Sequence, residues 1–116
     1  MTETVDYRIV HTVTAALDLA GRGRLLALWE WADSCRFSYD QLVEGFAEYP
    51  IDLYPPPLKP ELEWIIVKIR TTNEPTWSIR ASFWEINGKR SDLAIDLEVS
   101  IINERCVVVL NDIFVP

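Results

Sequence analysis

Val5, Ile9, Val13, Ala16, Leu17 and Ala20 recur at spacings of three and four, which places them on one face of a helix covering roughly residues 3–20. Gly21 follows as a stop, because glycine takes the left-handed conformation that commonly ends a helix without a Cβ clash. Residues 21–24 form a short basic hinge. Leu25, Leu28, Trp29 and Ala32 repeat the spacing and predict a second helix, running to about Asp33. Ser38 stands three residues before Gln41, so each side chain can satisfy the other's backbone amide in a capping box. Phe37 before the cap and Leu42 after it have the spacing of a hydrophobic staple, and the third helix is expected from Tyr39 to about Ala47.

From residue 50 to residue 60 the chain holds Pro50, Pro55, Pro56, Pro57 and Pro60, which cannot donate to a ladder and favour extended backbone. They predict a rigid connector between two halves. Four strand-like segments follow, at roughly 62–70, 76–86, 91–100 and 105–115, rich in Val, Ile and aromatic residues. In the third, Leu93, Ile95, Leu97 and Val99 alternate with Asp92, Ala94, Asp96 and Glu98, as in a strand with one buried and one wet face. Asn87-Gly88 tolerates positive φ at both central turn positions and predicts a hairpin between the second and third strands. The connections at 71–75 and 101–104 are too short for parallel crossovers. The pattern therefore predicts an α+β domain spanning residues 1–116, with three N-terminal helices packed on a curved four-stranded antiparallel meander sheet.

The 116 residues are 49% hydrophobic and 25% charged, a balance that excludes a disordered chain and matches one globular domain. Unbroken apolar runs such as Trp64–Val67 and Cys106–Leu110 are far short of a membrane span. The acidic first residues lack the pattern of a secretory signal, and Cys35 and Cys106 are too few for a disulfide framework. A cytoplasmic location with free thiols is the expectation. A net charge of −7 argues against binding to nucleic acid, whose phosphates require clustered Lys and Arg. The motifs of nucleotide-binding loops, serine hydrolases and zinc proteases are absent, and no cofactor or metal is expected.

The segments Trp77-Ser78-Ile79-Arg80-Ala81, Arg90-Ser91-Asp92-Leu93-Ala94-Ile95-Asp96-Leu97 and Leu110-Asn111-Asp112-Ile113 cover about a third of the chain. Following three helices, they resemble a small uncharacterised bacterial family with the nuclear-transport-factor-like cone fold, some of whose relatives are associated with toxin and immunity gene clusters. The wider fold includes ketosteroid-isomerase-like enzymes, polyketide cyclases and subunits that only bind. The resemblance thus implies a cone-shaped α+β domain and permits either binding or catalysis.

Several groups could carry chemistry. Tyr7, His11, Thr14 and Asp18 share one stripe of the first helix, but the apolar face opposite must meet the core, which turns the stripe towards water. Cys106 in an apolar strand reads as a small hydrophobe, whereas Cys35 beside Arg36 has a cation that would favour thiolate. Asp92 and Asp96 share a wet strand face without a third metal ligand. Trp64, Trp77, Phe83 and Trp84 could line an aromatic pocket for a flat apolar ligand, the alternative small-molecule-binding or enzymatic reading. Arg80, Ser82 and Trp84 share one strand side through which a homodimer could form.

The most uneven feature is charge. Between Glu30 and Glu63 eight acids face only Arg36 and Lys59, so this stretch holds six of the seven net negative charges, interleaved with Trp31, Phe37, Tyr39, Phe46, Tyr49 and Tyr54. Phe46 follows Leu42 at helical spacing and is expected to point inward. Acids beside aromatics with a polar handle suit a protein interface, and a negative surface attracts a basic partner. The expected partner-binding residues are Trp31, Asp33, Asp40, Glu44, Glu48, Tyr49, Asp52 and Tyr54. The expected function is that of a non-enzymatic immunity protein that neutralises a cognate basic toxin, for which a nuclease with its positive cleft is one candidate.

Overall fold

Helix α1 (Tyr7–Gly21) begins where Asp6 takes the capping position and its carboxylate accepts the Arg8 backbone N–H at 2.9 Å. The computed structural model describes residues 6–47, 64–70, 73–84 and 90–114. Val5, the proline connector, Asn87-Gly88 and the predicted site residues Glu48, Tyr49, Asp52 and Tyr54 lie outside them. Ile9, Val13, Ala16, Leu17 and Ala20 are buried, as their spacing requires. The expected stop at Gly21 is displaced by two residues. Gly21 is still helical, and Gly23 takes φ +71°, with Gly23 N–H bonded to Ala20 C=O and Arg24 N–H to Leu19 C=O. Those two bonds define a Schellman ending, in which the positive φ falls on the residue after the cap.

Helix α2 (Leu25–Trp31) ends short of Asp33 because Ala32 is already extended and Asp33 donates its N–H to Val108 C=O at 2.9 Å. The following Ser34–Cys35, expected as loop, is a strand, β1, that runs parallel to the last strand of the chain. Helix α3 (Tyr39–Ala47) has the predicted bounds. Its capping box is closed: Gln41 N–H donates to Ser38 Oγ at 3.1 Å and Ser38 N–H to Gln41 Oε1 at 2.8 Å.

The remaining strands are β2 (Ile65–Ile69), β3 (Thr76–Trp84), β4 (Arg90–Ile102) and β5 (Arg105–Phe114). Among the described residues the sheet has five strands in the order β1-β5-β4-β3-β2, mixed rather than wholly antiparallel. The four-stranded meander is thus corrected by one short parallel strand. Chain economy forbids a tight parallel link only between consecutive strands, and β1 reaches β5 with most of the fold between them. β4 and β5 meet in a two-residue turn at Asn103 and Glu104, both at positive φ, the hand that matches a twisted hairpin.

The helices cover one sheet face, which contributes Ile79, Ala81 and Phe83 of β3, Leu93, Ile95, Leu97 and Val99 of β4, and Val108 and Leu110 of β5 to the core. The opposite face is less wet than its alternation implies: Ala94 is buried and Asp96 and Glu98 are half-buried, leaving Asp92 exposed. Asn111 is an extra residue in β5 between the Leu97 to Leu110 and Asp96 to Asp112 pairs, a bulge that restores the alternation beyond it. No described helix is long and apolar enough to cross a membrane.

Candidate functional site

Helices α2 and α3 each turn one face to the core and one to water. Leu28 and Leu42 are buried, and Phe46 meets Phe83 edge-on with ring centroids 5.5 Å apart. Trp29 lies edge-on to Tyr39 at 6.0 Å and tilted against Phe37 at 6.4 Å, so these three half-buried rings join the two helices rather than reach outward. The outer positions follow from helical spacing: Leu26 and Glu30 on α2, and Asp40, Val43, Glu44 and Ala47 on α3. Leu26 is 53%, Trp31 37% and Val43 38% exposed, so both short helices show apolar side chains to water.

No Lys or Arg occurs within either helix. Glu30, Asp40 and Glu44 are exposed and make no ion pair among the described residues. Arg24 stands at the start of α2, and Arg36, between the two helices, is drawn to the sheet, where its guanidinium meets Glu98 at 3.5 Å. Among the described residues these three carboxylates are therefore without an ion-pair partner, on the same two helices as the exposed apolar side chains.

Of the predicted binding residues, Trp31, Asp40 and Glu44 are exposed on this helical layer. Asp33 has a different task. One of its oxygens accepts the Val108 N–H at 2.7 Å and the other meets Arg105 at 3.0 Å, which ties the end of α2 to β5. Its charge is spent inside the fold.

The stripe on α1 is solvated: Tyr7 lies exposed over His11 with centroids 4.1 Å apart, and Asp18 pairs with Arg22 at 2.9 Å. Cys35 is half-buried and burial raises its pKa, while the cation expected to activate it faces Glu98 instead. Cys106 packs against the core with its thiol 3.9 Å from the Arg8 carbonyl. Among the described residues no three His, Cys, Asp or Glu side chains converge on a metal position. Trp64 and Phe83 are buried and Trp77 half-buried on the helix side, whereas Trp84 has the opposite strand parity, so the four do not line one cavity.

The open sheet face joins Arg80 and Asp96, which the strand patterns place only separately, into one cluster. Arg80 is paired across the ladder with Asp96, which is itself paired with Asp112, and the Arg80 guanidinium lies 4.7 Å from the Phe114 ring centroid. Burial raises the Asp96 pKa, the neighbouring Asp112 and Glu98 carboxylates raise it further, and Arg80 opposes them. The β3–β4 register sets Arg80 beside Asp96, and the Asn111 bulge in β5 sets Asp112 beside Asp96.

No protein-family profile, no curated protein and no solved structure matches this chain.

Proposed function

We propose that this chain is a non-enzymatic binding protein of the immunity type, acting in the bacterial cytoplasm, which neutralises a basic protein by covering it with the outer faces of α2 and α3. The supporting observation is the coincidence, on two helices without a base, of the unpaired acids Glu30, Asp40 and Glu44 with exposed Leu26, Trp31 and Val43. The acids steer a positive surface to the site and the apolar residues hold it once water is expelled. A toxin with a positive substrate cleft, such as a nuclease, has the complementary chemistry. Two free half-buried thiols fit a reducing compartment.

The test is capture from cells of the native host with the tagged chain and with its Asp40→Lys/Glu44→Lys variant, followed by release in rising salt. A basic protein held stoichiometrically by the native chain, released by salt and not held by the variant supports the reading. Equal capture by both removes it.

A second reading, a domain that binds a small flat ligand on the helix side of the sheet, draws on Trp64. Its indole N–H is buried with no acceptor among the described residues. Native mass spectrometry of the purified chain decides it: a retained small molecule supports the ligand reading, and the bare chain mass of 13.4 kDa counts against it.

A further inference from the structure

Of the two helices that carry the proposed surface, α2 is the less secured by its own residues. It has seven residues, no side-chain cap at its start among the described residues, and Leu28 as its one buried residue. Two turns of helix do not hold in water without tertiary packing. Trp31, its last residue, is 37% exposed and, unlike Trp29, is not among the side chains packed on the core. The direction of Trp31 is therefore set by the backbone at the end of the helix.

That end is clamped by Asp33. The Asp33 N–H donates to Val108 C=O at 2.9 Å, and an Asp33 carboxylate oxygen accepts the Val108 N–H at 2.7 Å, so one residue takes both backbone groups of a buried strand position. The Arg105 guanidinium donates to the other carboxylate oxygen at 3.0 Å and keeps the carboxylate turned to β5. Beyond the clamp the parallel pairing of β1 covers two residues, and Arg36 N–H donates to Leu110 C=O at 2.9 Å. Only the buried Ala32 separates Asp33 from Trp31.

We infer that Asp33 is a positioning residue of the α2–α3 surface, which holds Trp31 in the orientation that a basic protein partner meets and does not itself meet that partner. The inference rests on the function proposed above and gives Asp33 an indirect role in it. Fixing one residue's backbone is worth about a factor of ten in an equilibrium constant, so a partner that has to order the end of α2 itself binds about tenfold more weakly. The loss falls on the dissociation rate, because the steering acids Asp40 and Glu44 lie on α3 and are untouched.

Two substitutions separate positioning from contact: Asp33→Ala removes the charge and the acceptor, and Asp33→Asn removes the charge but keeps an acceptor. In the free chain labelled with 5-fluorotryptophan, the Trp31 fluorine signal is assigned among the five tryptophans by Trp31→Phe. It is expected to shift and broaden in Asp33→Ala and to stay native in Asp33→Asn, with circular dichroism confirming both folds. A Trp31 signal unchanged by Asp33→Ala overturns the inference. From the basic protein captured by the native chain, Asp33→Ala should dissociate about tenfold faster and Asp33→Asn at nearly the native rate. In a Trp31→Ala background, Asp33→Ala should add little further loss. Equal weakening by both substitutions, or weakening by Asp33→Asn where Asp33→Ala does not fold, makes Asp33 a direct contact and overturns the inference. So does an Asp33→Ala loss of the same size with and without Trp31, which would make its role a general structural one. Capture of no basic protein by the native chain refutes the proposed function, and the free-chain spectra still decide whether Asp33 holds Trp31.

Discussion

Asp33 and Asp40 are both acids of the same negative stretch, yet they do opposite work. The Asp33 carboxylate accepts the N–H of buried Val108, whereas Asp40 stands free in the first turn of α3, where the helix dipole favours it. Asp33→Ala leaves the Val108 donor unpaired and is expected to lower stability by about 1–3 kcal/mol, the cost of an unsatisfied buried N–H. The exposed Arg105 adds little to that loss. Urea unfolding measures it, and Asp33→Asn, which keeps an acceptor, should recover most of the difference; an unchanged midpoint for Asp33→Ala would refute the tie. Asp96 carries a pH signature of its own. Its native pKa is raised, so between the ordinary carboxylate range and the raised value the folded state binds more protons than the unfolded chain. Its contribution to stability accordingly grows as pH falls through that window and declines as pH rises. In melting temperatures taken from neutral to acidic pH, the native chain should gain on Asp96→Asn as the solution is acidified. Parallel profiles would contradict the assignment.

At the scale of elements, the helices were legible because their signals are local. The 3.6-residue period, the Ser38 and Gln41 box and the inward Phe46 all depend on neighbours within a few positions, and all stand in the structure. The end of α1 was legible in kind, a glycine cap, but not in position, since either Gly21 or Gly23 can serve and only the backbone bonds select Gly23. Gly23→Ala is expected to cost about 1 kcal/mol in thermal or urea unfolding. An added Cβ there meets nothing within 4 Å, so the loss comes from the positive φ alone. Gly21→Ala, inside the helix, should be neutral or stabilising; equal losses at the two positions would place the cap elsewhere. β1 was illegible, because two residues have no period and their pairing depends on a strand about 75 positions away. The short β4–β5 connection was legible, but its two-residue form at Asn103-Glu104 was not, because glutamate lacks the tolerance of positive φ that marks Asn-Gly pairs.

At the scale of the whole molecule, the concentration of acids between Glu30 and Glu63 was visible in the sequence. Its division into used and free charge was not, because that depends on contacts between distant segments. Arg36 is drawn to Glu98, and Asp33 to Val108 and Arg105, which leaves Glu30, Asp40 and Glu44 exposed on the same two helices as Leu26, Trp31 and Val43. A surface of this kind should bind through two separable contributions, a salt-sensitive encounter and a salt-insensitive apolar lock. Trp31→Ala should then speed dissociation with the association rate little changed. Charge reversal at Asp40 and Glu44 should slow association with dissociation little changed, both read by stopped-flow or surface binding kinetics. The most direct test of the account is the association rate of the captured partner as ionic strength rises, measured for the native chain and for Asp40→Lys/Glu44→Lys. The account predicts a steep fall for the native chain, about tenfold or more between low and high salt, and a shallow one for the variant. Equal slopes for the two would contradict it.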